Sequence, residues 1–370
     1  YTTIRKESIC SMGEWPSHFR RNNTETIMLC LNNPFQQKAW CRENHFTPKT
    51  KEPDFEIILE QLKRFKPTHL FVFDIYYYSK FKRLEKIENV CPSLKIKIAW
   101  YGAPVDNYNV LRNYNVVITP SLIIKEELKR NGFNCEYLSH AFEPKVLDLI
   151  SQKDRKNKLC FIGSLTQGEI WHEERIKYLE SFLKEMDMDI YSEILKPTIG
   201  LKFKKKLISY RHEICRYISK YNKSNKRIKY YSSKKNLPIY DRVQRSSILK
   251  NVKPAVYGLD MMNLLSSYTL TFNMHIPLAK NFAGNMRLTE ATGLGTCLLS
   301  DHKKNNKEYF GQFEEYCTYK TVSECVEKII YLKNNTNLIQ MISSKLQSET
   351  LNKRSTTKQF NNLTRILKSA

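Results

Sequence analysis

Residues 285 to 301 are Asn285-Met-Arg-Leu-Thr-Glu-Ala-Thr-Gly-Leu-Gly-Thr-Cys-Leu-Leu-Ser-Asp301, the most informative stretch of the chain. The polar trio Asn285, Arg287 and Glu290 opens an expected helix that stops at the glycine pair Gly293 and Gly295. The apolar run Thr296–Ser300 then predicts a buried strand. Helix, tight glycine turn and strand in direct succession form one half of an open α/β unit. Residues three apart on a helix share a face, so Arg287 and Glu290 offer a cation suited to phosphate beside a carboxylate suited to paired sugar hydroxyls. A nucleoside diphosphate-sugar needs both.

The alternation extends outward. In the front half the strand candidates are Thr26–Leu31, His69–Phe73, Lys95–Trp100, Asn115–Thr119 and Cys135–Leu138. Between them, Asp54–Phe65 sets Phe55, Ile58, Leu59, Leu62 and Phe65 on one helical stripe. Ser121–Arg130 reads as a helix with Pro120 suited to its first turn and Gly132 to its stop. The polar run Ser151–Lys158 breaks the pattern and predicts a linker, after which strands are expected at Leu159–Ile162, Thr269–Asn273, Thr296–Ser300 and Cys317–Tyr319. Thr321-Val-Ser-Glu324 is a capping box before the helix Cys325–Leu332. Strands separated by helices imply parallel sheets. The expected division is a first α/β domain over 1–150, a second over 151–345 and a last helix over 346–370 packing back toward the first. In such folds ligands bind beyond the carboxyl ends of the strands.

Composition bounds the partners. The chain has 370 residues, 41% of them hydrophobic, with no apolar run of the roughly 20 residues that span a bilayer and no apolar signal core at its start. It does not begin with Met, which predicts a fragment of a longer polypeptide. Ten cysteines are present and none form a Cys-x-x-Cys pair, so a reducing cytoplasm is expected and structural zinc is not. Net charge is +24, and the window from Lys196 to Lys253 carries 18 Lys or Arg against only Glu213 and Asp241. Such a segment, with its interleaved tyrosines, suits a polyanion: an anionic membrane surface, a phosphorylated carrier or, as the weakest of the three, a nucleic acid. A solvated basic face is the plain alternative.

The order Asn285-x-Arg287-x-x-Glu290-Ala-x-Gly293-x-Gly295, followed by an apolar strand and Asp301, resembles the C-terminal domain of GT-B-fold glycosyltransferases. Within that fold it is most similar to the group related to the spore-maturation protein CgeB. Gln37-Lys-Ala-Trp40, Lys66-Pro-Thr-His-Leu70, His140-Ala-Phe-Glu-Pro144, Phe161-Ile-Gly-Ser164, Tyr257-Gly-Leu-Asp-Met261 and Asn273-Met-His275 fit the same group in the same order. The resemblance implies two Rossmann-like domains whose parallel sheets face a central cleft, with the donor held by the second domain and the acceptor by the first. Two departures stand out: residues 1–24 do not supply the opening strand and glycine-containing loop of a GT-B amino-terminal domain, so the first domain is expected to be incomplete at its start, and a carboxylate expected against the donor sugar is missing. Retaining GT-B enzymes usually carry a Glu eight positions before the one matching Glu290, and here that position is Phe282.

By this resemblance Glu290 accepts from both ribose hydroxyls, Arg287 neutralises the departing diphosphate, and Asn285 assists it. The bland alternatives are a solvated Glu, a surface ion pair and a simple helix start. Gly163 and Ser164, after the first strand of the second unit, suit backbone binding of the diphosphate, and Arg175 on the next helix is within expected reach of it. Tyr257 and Gly258 are expected near the nucleobase, and His275 near the sugar or phosphate. His140, Asp106 and Asp74 follow strands of the first unit and are the three candidate general bases. Asp187-Met-Asp189 imitates a metal-binding Asp-x-Asp but is read as a chance match, so no metal or other cofactor is expected. The expected protein is a cytoplasmic glycosyltransferase, peripheral at the inner membrane face, moving a sugar from a nucleotide-sugar to a hydroxyl of a glycan or lipid-linked acceptor in surface polysaccharide synthesis. Its rivals are a non-catalytic polyanion- or nucleic-acid-binding protein on the same scaffold, and a nucleotide-sugar epimerase.

Overall fold

The computed structural model describes residues 12–31, 33–102, 108–151, 154–165, 170–193, 199–219, 221, 225–232 and 248–369. Two compact α/β units are present. The first combines Tyr1–Lys145, Ala279–Thr289 and Glu349–Ala370; the second combines Val146–Leu278 and Glu290–Ser348.

The first unit is built on a four-stranded parallel sheet, β1 (His69–Val72), β2 (Ile96–Trp100), β3 (Val116–Thr119) and β4 (Cys135–Tyr137), in that spatial order. All four residues of β3 are buried, as expected of a parallel strand covered on both faces. Strand alternation divides them: Val116 and Ile118 join Ile98, Trp15, Leu363 and Ile366 on one face, while Val117 joins Ala99, Leu111 and Leu128 on the other. The helix Thr356–Ser369 thus belongs to this unit, and Gln359 ties it in by accepting from Trp15 Nε1 at 3.0 Å and donating to Ser139 O at 2.6 Å. The Pro53–Phe65 helix buries Phe55, Ile58 and Leu62 along the expected stripe.

Two details differ from expectation here. Thr26–Leu31 forms no strand; Leu29 and Leu31 instead pack on the Phe55, Ile58, Leu62 and Ile87 cluster. A short apolar run satisfies its burial against a helix as readily as in a sheet. Pro120 lies outside the helix Leu122–Arg130, whose cap is Ser121: its Oγ accepts from Ile124 N at 3.3 Å.

The second unit holds six parallel strands: β5 (Lys156–Ile162), β6 (Met188–Tyr191), β7 (Val252–Lys253), β8 (Tyr268–Asn273), β9 (Cys297–Asp301) and β10 (Thr318–Tyr319). Their spatial order is β10-β9-β8-β5-β6-β7. The chain runs outward from β5 to β7, then returns to the other side of β5 for β8, so the topological switch lies between β5 and β8. β5 begins inside the expected linker. Lys156 pairs with Tyr268 ahead of an irregularity in the register, and its own side chain is exposed, so its charge is tolerated there. Thr321 caps the helix Val322–Asn334, its side chain accepting from Glu324 N. Among the described residues, the helices Ile199–Ile218, Lys226–Ser232 and the short Ile248–Asn251 lie between β6 and β7 in the basic segment. No helix among the described residues is long and apolar enough to cross a membrane.

The decisive stretch folds as helix Met286–Gly293, a turn, then β9. Gly295 N donates to Thr292 O at 2.9 Å and Thr296 N to Ala291 O at 2.9 Å, the paired bonds of a Schellman stop. Gly295 supplies the left-handed residue that this stop demands, with φ at +68°. A Cβ there would also come within 3.2 Å of Arg155 Nη2 and of the Gln347 amide. Gly295→Ala is therefore expected to destabilise the chain by about 1–2 kcal/mol, read as a lowered urea midpoint with an unchanged slope.

Candidate functional site

In an open parallel sheet the switch point is where ligands bind, beyond the carboxyl ends of the strands. Four residues of the second unit gather there. Gly163 and Ser164 follow β5, His275 follows β8, and Asp301 ends β9. Arg175, on the helix Ile170–Glu185, spans the switch: Nη1 donates to Ser164 O at 2.9 Å and Nη2 to Met274 O at 2.6 Å. Its guanidinium carbon lies 5.6 Å from the Phe161 ring centroid. The cation expected to reach a diphosphate thus ties together the two loops that form the switch point. The Gly163 amide is engaged as well, donating to Tyr191 O at 3.1 Å, and Leu165 N donates to Ser192 Oγ at 3.1 Å. Ser164 is exposed.

His275 is buried and firmly oriented. Its Nδ1 lies 2.7 Å from Asp301 Oδ1, which also accepts from the His275 amide at 2.9 Å, while Lys303 Nζ lies 3.0 Å from Oδ2. Burial alone would favour the neutral acid at Asp301. The hydrogen bonds from His275 and the charge of Lys303 outweigh it and hold the pKa down to about 2. Donation from Nδ1 to this carboxylate fixes the orientation of the ring. Asp301 was visible in the sequence as the end of a strand, but its partner is 26 residues away.

Glu290 is 6% exposed, which sets aside the solvated-helix reading of this carboxylate. It sits one helical turn after Arg287, which is half-buried, as is Asn285 immediately before the helix. Asn285 and Arg287 fall within the first unit and Glu290 within the second, so this one helix runs through the boundary between the two spans.

Tyr257 precedes the helix Gly258–Ser266, at whose first position Gly258 adopts φ +56°. The Tyr257 ring is 63% exposed and its hydroxyl donates to Glu193 Oε2 at 3.3 Å, just beyond β6. An exposed ring held by its hydroxyl presents a face for stacking. Glu193 carried no signal in the sequence.

The candidate bases belong to the first unit. His140 lies beyond β4, its ring centroid 5.9 Å from that of Trp100, and burial lowers its pKa to about 4, so it is neutral near pH 7. Asp74, after β1, caps the helix Ile75–Ser79 by accepting from Tyr77 N at 3.0 Å. Asp106 lies outside the described residues. Asp189 of the Asp-x-Asp pair is enclosed in β6 by Lys158 Nζ at 2.8 Å, Lys253 Nζ at 2.9 Å and the donating Tyr268 hydroxyl. Among the described residues no three His, Cys, Asp or Glu gather to hold a metal ion.

Residues 218–364 match the family model described as glycosyl transferase-like. No curated protein matches the chain by sequence. Among solved structures, TarM superposes with a TM-score of 0.51 at 14% identity, covering 85% of this chain and 58% of its own. HepE of Anabaena, in complex with UDP-glucose, gives 0.52 at 10% identity over 90% of this chain and 89% of its own. An alpha-glucosyltransferase in complex with UDP-glucose and DNA containing an abasic site gives 0.52 at 11% identity, over 90% and 94%. The fold is that of the GT-B glycosyltransferases. This chain spans little more than half of TarM and most of the other two.

The Asp301 carboxylate gives a direct check on the switch-point geometry. A carboxyl held at about 2, against roughly 3.9 when unfolded, stabilises the native state above pH 4 and loses that contribution as pH falls through 2. Asp301→Asn is expected to cost about 2 kcal/mol at pH 7 in urea melts, and the gap to wild type should close as pH is lowered from 4 to 2.

Proposed function

We propose that the chain is a glycosyltransferase that takes its sugar from a nucleoside diphosphate-sugar. The observation that carries this reading is the buried Glu290, set on the helix whose Schellman stop delivers β9, inside the span that matches the glycosyl transferase-like family. A carboxylate removed from bulk water binds a vicinal diol more strongly than a solvated one. The half-buried Arg287, one turn earlier, supplies the cation for the leaving diphosphate. We assign the diphosphate to Arg287 and Asn285, which lead into the helix that carries Glu290, and the nucleobase to the exposed face of Tyr257. The HepE structure is described as a complex with UDP-glucose, which supports a nucleotide-sugar donor here.

In this reading the helix Met286–Gly293 and its flanking residues bind the donor, and the sheet of the first unit receives the acceptor, a hydroxyl of a glycan or lipid-linked glycan made for the cell surface. The cytoplasmic location and the kinship with the CgeB-like group are parts of the same proposal. No metal is assigned to the leaving group, because fixed cations and backbone N–H groups stabilise a departing diphosphate. Of the three candidate bases we favour His140, which lies beyond β4 with its ring beside Trp100, whereas the Asp74 carboxylate is engaged as a helix cap.

Calorimetry against a panel of nucleoside diphosphates is expected to find one base that binds, and Glu290→Ala should weaken it at least tenfold, as expected from losing charge-assisted hydrogen bonds. Unchanged affinity for every nucleotide would remove Glu290 from the site. Conversion of the donor sugar without any acceptor would identify an epimerase instead. Between the bases, Asp74→Ala should cost about 1 kcal/mol of stability with turnover retained, while His140→Ala should reduce kcat by about a hundredfold or more. The reverse pattern would move the role to Asp74.

A further inference from the structure

We propose that the helix Ile199–Ile218 is a docking surface for an anionic lipid bilayer. This inference goes beyond sugar transfer and stands whether or not that reading holds. Phe203, Leu207, Tyr210, Ile214, Tyr217 and Tyr221 follow one another at alternating spacings of four and three residues. They form a single stripe, and each is 54–78% exposed. The opposite side of the helix is the packed one. His212 is buried there, its Nδ1 donating to Tyr231 O at 2.8 Å in the helix Lys226–Ser232. The apolar side of this amphipathic helix therefore faces away from its described neighbour. Normally that side is the one a helix buries.

Charge complementarity selects the occupant. Lys206 and Arg211 flank the stripe on its two edges, both exposed, with Arg211 stacked 3.9 Å over the Tyr231 ring; Arg216 is exposed on the same helix. Glu213 is the helix's only acidic residue, and the segment around it holds the bulk of the chain's excess cations. Two copies joined along this seam would set Lys206 of one against Arg211 of the other, a like-charge contact. Nucleic acid would use the cations and the tyrosines, but Leu207 and Ile214 have no aromatic face to stack on a base. A bilayer uses every component. Aliphatic and Phe side chains enter the acyl boundary, tyrosine rings lie at headgroup level, and lysine and arginine meet anionic phosphate. So charged a helix lies in the membrane plane and does not cross it.

The experiment is co-sedimentation of the full chain with vesicles of phosphatidylcholine alone or mixed with phosphatidylglycerol. Binding is expected only to the anionic vesicles. It should fall at least tenfold in Phe203→Ser/Leu207→Ser/Ile214→Ser, and comparably in Lys206→Gln/Arg211→Gln/Arg216→Gln. Thermal melting should be unchanged in the apolar variant, whose altered side chains are exposed, and lowered only slightly in the basic variant, which gives up the stack of Arg211 on Tyr231. Should the apolar variant misfold, Tyr210→Trp decides: its emission is expected to shift to the blue on anionic vesicles, and an unshifted spectrum overturns the proposal. No binding to anionic vesicles, or binding indifferent to the apolar stripe, also overturns it. So does loss, in the apolar variant, of self-association or of single-stranded oligonucleotide binding when vesicles are not bound at all.

Discussion

The second unit depends on how the chain leaves the helix Met286–Gly293. The turn at Leu294 and Gly295 closes the helix with two backbone bonds, but it leaves the carbonyls of Leu294 and Gly295 facing into the protein. Arg155 takes both, Nη2 donating to Leu294 O at 2.8 Å and Nη1 to Gly295 O, and Gln347 Nε2 takes Gly293 O at 3.0 Å. Buried carbonyls without donors would cost on the order of 1–3 kcal/mol each. One guanidinium and one amide remove that cost across three successive residues. Burial also depresses the Arg155 pKa from its usual value, yet an arginine stays charged throughout the physiological range. The turn is thus a polar knot beneath an apolar strand. It fixes where β9 begins, and hence where Asp301 ends it.

From that fixed point the switch-point geometry follows by register. β9 pairs with β8 from Leu270↔Cys297 to Asn273↔Ser300, so Asp301 emerges level with the residues just after Asn273. That is why a single carboxylate is able to receive both the amide and the ring of His275. β8 in turn pairs with β5, and Arg175 bridges the loops after them. Three strand ends are held by two side chains. A pocket for a charged ligand needs loops that do not shift when the ligand arrives, because reorganisation would subtract from binding. Arg175 and Asp301 supply that rigidity.

Much of this was legible in the sequence, for identifiable reasons. Buried parallel strands are short continuous apolar runs, so β1 to β5, β8, β9 and β10 emerged near their expected places, and the decisive stretch folded as helix, stop and strand. The strands β6 and β7 left no such trace. β7 has two residues, and β6 carries Asp189, whose charge disguises a strand that Lys158, Lys253 and Tyr268 make habitable. Thr26–Leu31 failed in the opposite sense: it has the composition of a strand and packs against a helix. The site divides in the same way. Local order put Glu290 on a helix beside Arg287, but its burial is a property of the tertiary fold. The double engagement of Arg175 involves a carbonyl 99 residues away, and a backbone acceptor has no side-chain identity for a sequence to reveal.

The placement of the basic segment is a consequence of parallel topology. Adjacent parallel strands need a crossover of only a dozen or so residues, yet everything between Tyr191 and Val252 intervenes between β6 and β7. Strand pairing sets a minimum for that connection and no maximum, because the entropic cost of a longer loop grows only with its logarithm. The surplus length is free to carry a function of its own without disturbing the register at the switch point. Here it carries 17 cations and a helix whose apolar side is exposed. That concentration follows from the constraint on the rest of the unit. The sheet accepts lysines only at its margins or against a carboxylate, as Lys158 and Lys253 meet Asp189, so most of the excess cations lie in the insertion, where they act together as a surface.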